Sequence, residues 1–221
     1  MRTAAACLVI LLLAGISGCN RTDDKITTAP RTESPSSISG WTEVATSGVA
    51  IQFPNDWKLI DLASDQFAQR EDKAFGNDPK LASIRAQVSA AAKQGMIKFM
   101  AFETATIGTG FATNCNLVIQ DSVGHYTLEQ VGDASVQQMA PLVAAGSQSK
   151  IEYVNLKAGR TAIMRSEIKI ANPSVPLLVS LGYINLKNSR ISTVTFTAPI
   201  GDEAKIRKFA DKVMDTFHYT N

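Results

Sequence analysis

Four segments with strand character follow one another in the last third of the chain: Ile151–Leu156, Arg160–Ile170, Leu177–Leu186 and Ile191–Ala198. Turn residues separate them, at Gly159, Asn172-Pro173-Ser174 and Asn188-Ser189. A parallel neighbour needs a crossover of about a dozen residues or more, which none of these connections provides. The segments must therefore pair antiparallel, as a meander. Such a sheet buries its apolar faces only if helices or further strands pack on it. The 221 residues, 45% hydrophobic and 19% charged, suffice for one domain with its own core.

Upstream, Val49, Ile51 and Phe53 alternate with Ala50 and Gln52, the period of a strand with one face inward. Pro54-Asn55-Asp56 is a turn signal, and Trp57 and Leu59 resume the alternation, so a hairpin-like pair is expected. Asp78-Pro79 opens a helix whose apolar stripe is Leu81, Ile84, Val88, Ala91 and Ala92, ended by Gly95. A shorter helix is expected over Ser64–Glu71. Met96–Glu103 is apolar on both faces, as a strand buried between two layers would be, and Asn116–Gln120 is a further strand. Thr127 and Gln130 have the spacing of a capping box, followed by the stripe Leu128, Val131, Ser135, Met139 and Leu142, with Pro141 forcing an end or kink. In the closing helix Asp202 and Glu203 sit at the positive end, Ile206, Phe209, Ala210, Val213 and Phe217 face inward, and Lys205, Arg207, Lys208, Asp211 and Lys212 face solvent. The fold class is α+β, a largely antiparallel sheet with helices packed on it.

The N-terminus carries a different signal. Met1-Arg2 is followed by the apolar run Ala4–Ala14 and then by Ile16-Ser17-Gly18-Cys19. A short cationic start, an apolar stretch too short to span a bilayer and small residues before a cut site describe a secretory signal. Ile-Ser-Gly-Cys resembles the bacterial lipobox, in which the Cys thiol is acylated and becomes the new N-terminus. Residues 1–18 are thus expected to be a lipoprotein signal peptide and Cys19 the lipid anchor. Several acyl chains hold a protein stably where one does not. Asn20, rather than Asp, follows the anchor; by resemblance to Gram-negative sorting this favours the outer membrane, facing the periplasm. Residues 19–40 are polar, with Pro30 and Pro35, and read as a disordered tether; the folded domain is 41–221. Cys7 leaves with the signal and Cys19 with the lipid, so Cys115 has no disulfide partner and is expected to be a small buried residue.

The stretch Gly48-Val49-Ala50-Ile51-Gln52-Phe53-Pro54-Asn55-Asp56-Trp57 resembles the opening of PsbP-like domains. Arg190–Ala198 and the helix from Asp202 to Thr216-Phe217-His218-Tyr219 resemble their closing strand and helix, and those of the related DcrB-like lipoproteins. The resemblance implies an α/β/α sandwich, an antiparallel β-sheet with helices on both faces, in exported and mostly non-catalytic proteins. It carries over no site residue.

Little else in the sequence points to chemistry. A formal charge of +2 leaves no basic face for nucleic acid. His218 and Asp215, three residues apart on one helical face, fall short of a zinc site, and His125 and His218 are expected to be exposed at element ends. Ile107-Gly108-Thr109-Gly110-Phe111 lacks the Lys-Ser/Thr of a phosphate loop and reads as a turn. No Gly-x-Ser-x-Gly or His-Glu-x-x-His is present, and Asp202-Glu203 is explained by helix capping. The expectation is no catalytic residue, no metal and no cofactor. What remains is an exported, lipid-anchored, non-enzymatic module that contacts the membrane through Cys19 and binds or helps assemble an envelope protein complex. The alternatives are a periplasmic carrier or sensor of a small apolar ligand held between sheet and helix, and an unrecognised hydrolase.

Overall fold

The computed structural model describes residues 38–61, 97–109, 111–122, 124–170 and 175–220. In chain order the elements are β1 (Trp41–Thr46), β2 (Val49–Pro54), β3 (Trp57–Asp61), β4 (Ile97–Glu103), β5 (Asn114–Asp121) and α1 (Leu128–Met139). There follow β6 (Lys150–Leu156), β7 (Gly159–Ile168), β8 (Leu178–Lys187), β9 (Arg190–Pro199), α2 (Glu203–Met214) and β10 (His218–Tyr219). A seven-stranded sheet has the order β3-β4-β5-β9-β8-β7-β6, and a three-stranded sheet the order β1-β2-β10. All the pairings are antiparallel, and the meander β6 to β9 lies as its short connections require. The helices expected over 64–71 and 78–95 lie outside the described residues.

The expected hairpin between Val49–Phe53 and Trp57–Leu59 does not form. β2 pairs with β1 and β10, whereas β3 pairs with β4, so Asn55-Asp56 carries the chain from one sheet to the other. Alternation tells which face of a strand is buried, not which strand lies beside it. Both faces do point to one core: the Phe53 and Trp57 rings lie 5.6 Å apart between centroids.

Each helix covers one face of the large sheet. The Thr127 capping box forms, with Gln130 N–H donating to Thr127 Oγ1 at 3.2 Å and Thr127 N–H to Gln130 Oε1 at 2.9 Å. Leu128, Val131 and Met139 of α1 pack in one core with Ala162, Met164, Ile168, Leu178 and Ile184. The helix ends at Met139 and Pro141 enters a 3-10 turn, so Leu142, expected on the buried stripe, is 41% exposed.

On the other face α2 and the small sheet share a second core. Ile206, Ala210, Val213 and Met214 join Val49, Ile51 and Phe53 against Phe99, Leu117, Val194 and Phe196. Phe209 stacks on Trp57 at 4.5 Å between ring centroids. Asp211 and Arg207, expected on the solvent side, are half-buried, and Asp211 Oδ1 accepts the Tyr183 hydroxyl at 2.7 Å. Burial, and then the Asp211 carboxylate, push the Tyr183 phenol far up, so it stays a donor.

Thr216 fastens the small sheet to the end of α2. Its buried Oγ1 accepts Gln52 N–H at 2.9 Å and donates to the Val213 carbonyl at 2.6 Å. Thr216→Val keeps the shape and strands the Gln52 N–H, so we expect a loss of about 1–3 kcal/mol. Urea denaturation checks it: an unchanged midpoint would mean that Gln52 finds another acceptor.

Candidate functional site

Cys19, the expected lipid anchor, lies outside the described residues. Cys115 is fully buried, as expected, and burial pushes its thiol well up, away from the reactive thiolate. His125 is exposed. His218 is not at a helix end beside Asp215: α2 stops at Met214, and His218 sits half-buried in β10 opposite Ala50, its Nδ1 2.9 Å from the Thr216 carbonyl. No cluster of three potential metal ligands occurs among the described residues. The Gly108 loop connects β4 to β5, as expected of a turn.

The acidic pair at the start of α2 divides in its roles. Asp202 makes no side-chain capping bond, whereas Glu203 grips Arg165 of β7 with both oxygens, at 2.5 Å from Nε and 2.8 Å from Nη2. Arg165 Nη2 also donates to Glu167 at 2.9 Å, and Ser147 donates to the same carboxylate at 2.7 Å. The Arg165 hydrogen bonds hold the Glu203 carboxyl below its ordinary 4.5. A depressed carboxyl contributes stability that is present above its ordinary pKa and lost as pH falls through the lowered folded value. The network is partly solvated, so screening keeps its share below about 1 kcal/mol. We expect Glu203→Gln to lose stability at pH 7 and to flatten the fall of melting temperature below pH 4.5, which thermal melts across pH would register.

A second group of polar side chains lies where two hairpin tips meet. Ser47 and Gly48 join β1 to β2 with φ of 50° and 79°, and Asn188 and Ser189 join β8 to β9 with φ of 51° and 61°. Two left-handed residues in a two-residue loop match the twist of the strands they join. Arg190 locks the tips together: Nη1 donates to the Ser47 carbonyl at 3.2 Å and Nε to Asp121 Oδ1 at 2.9 Å. At φ 79° Gly48 holds a left-handed conformation that is strained for other residues, and a Cβ there would also push Arg190 Nη1 aside from 2.8 Å. The Thr220 N–H donates to the Gly48 carbonyl at 3.0 Å and closes the third side.

These elements border a half-open pocket of about 300 Å3 with Asp121, Lys187, Arg190 and Tyr219 in its walls. Lys187 Nζ stands 4.5 Å from the centre of the Tyr219 ring, a cation–π contact. Strand register explains the grouping. Asp121 and Lys187 both face Arg190 across β9, and one rung inward Ile119 and Asn185 both face Ser192. Asn185 Oδ1 accepts the Thr161 hydroxyl at 2.7 Å, which fixes the amide and leaves Nδ2 without a partner. Ser192 Oγ and Tyr219 Oη are buried beside each other, and the Ser192 hydroxyl interacts with the phenol. Burial raises the Tyr219 phenol; the nearby Ser192 hydroxyl and Arg190 charge only moderate that, so Tyr219 is a protonated donor.

The sequence reading missed this site. It found the Asn188-Ser189 turn, but charged residues beside a turn look like ordinary solvated surface. Asn185 and Ser192 stand out only through the register that places them on one face.

No protein-family model matches the sequence, and no curated protein matches it. Solved structures do match. CyanoP from Synechocystis sp. PCC 6803, a cyanobacterial PsbP, superposes with a TM-score of 0.50 at 12% identity over 83% of this chain and 95% of its own. LpqN of Mycobacterium tuberculosis, involved in cell envelope biogenesis, gives 0.51 at 10% identity over 82% of this chain and 91% of its own. The fold is PsbP-like. The α+β class, the antiparallel sheet and the helices on both of its faces are as expected.

Proposed function

We propose that this chain is an exported, non-enzymatic module of the bacterial cell envelope. In this reading it is anchored through Cys19 at the outer membrane, faces the periplasm, and binds or helps assemble another envelope protein complex. The observation that carries the binding reading is the state of the reactive groups. Cys115 is sealed in the core, and Arg165 and Lys205 are tied to carboxylates. The corner pocket gathers cations and hydroxyls without the nucleophile–base pair that covalent catalysis needs. LpqN, which shares the fold, works in envelope biogenesis, and this adds support for the compartment. An apolar ligand between sheet and helix gains none, because Phe53, Trp57, Phe196 and Phe209 fill that layer with mutual ring contacts.

Affinity capture with the full lipidated chain from detergent-solubilised membranes tests the assembly role. One envelope complex should be enriched reproducibly over a control lipoprotein; capture of none would overturn the reading.

A further inference from the structure

We draw no further inference here: the strongest candidate, the buried row of Asn114, Asn116, Thr193 and Thr197 along one face of β5 and β9, leaves amide and hydroxyl oxygens without hydrogen bonds, but nothing in the structure shows what covers it.

Discussion

Truncating Phe53 to alanine is expected to destabilise the domain by about 3–5 kcal/mol. That is a large part of the stability of a domain of this kind, about 5–15 kcal/mol in total. Phe53 is fully buried, and its ring lies 5.6 Å from Trp57, 5.3 Å from Phe99, 6.5 Å from Phe196 and 6.4 Å from Phe209 between centroids. Those partners belong to β3, β4, β9 and α2, while Phe53 belongs to β2 of the small sheet. The ring therefore joins three separate pieces, and the rigid aromatic neighbours cannot close the gap it would leave. Urea denaturation should show a lower midpoint. Tyr126→Ala, at a side chain 41% exposed, is the control and should stay within about 0.5 kcal/mol of wild type. A loss below about 1 kcal/mol for Phe53→Ala would show that the layers adhere without this ring.

What was legible in the sequence was whatever local periodicity and turn chemistry determine. The meander β6 to β9 could be read because its connections are too short for any other pairing. The start of α1 could be read because Thr127 and Gln130 satisfy each other's backbone groups, a purely local device. Neither β1 nor β10 was visible. β1 is an edge strand with Thr42, Glu43 and Ala45 exposed, and β10 has two residues, so neither carries an apolar alternation. The pairing of β2 with β10 is long-range, and it displaced the local hairpin that Pro54-Asn55-Asp56 suggested.

The candidate site was hidden for the same reason. Arg190 and Ser47 stand 143 positions apart, and a solvated arginine is indistinguishable in sequence from one that bridges two hairpin tips. Asn185, Ser192 and Tyr219 are each unremarked among other polar residues. Only the stacking of the small sheet on the large one brings Tyr219 of β10 beside Ser192 of β9.

Cys19→Ser is expected to move the protein out of the membrane fraction or leave it as an unprocessed precursor, and either outcome would be nearly complete. Acylation needs a thiolate to form the thioether, and serine at that position offers a hydroxyl thousands of times less ionised at neutral pH. Each buried CH2 of an acyl chain contributes about 0.8 kcal/mol of membrane affinity, so several chains hold far more firmly than one. Among the described residues no helix is long and apolar enough to cross a membrane, and the run Ala4–Ala14 is shorter than the roughly 20 residues a span requires. On this reading attachment falls on one sulfur. Intact-mass analysis of wild type should show a chain that begins at Cys19 and carries acyl groups, and fractionation of the variant should show the loss. A wild-type chain with Met1 still present, or a serine variant that is normally acylated and retained, would overturn the anchor. If the polar residues after Cys19 act as a spacer, as this reading has it, Phe53→Ala should shift the denaturation midpoint without moving the protein between fractions. Cys19→Ser should do the reverse.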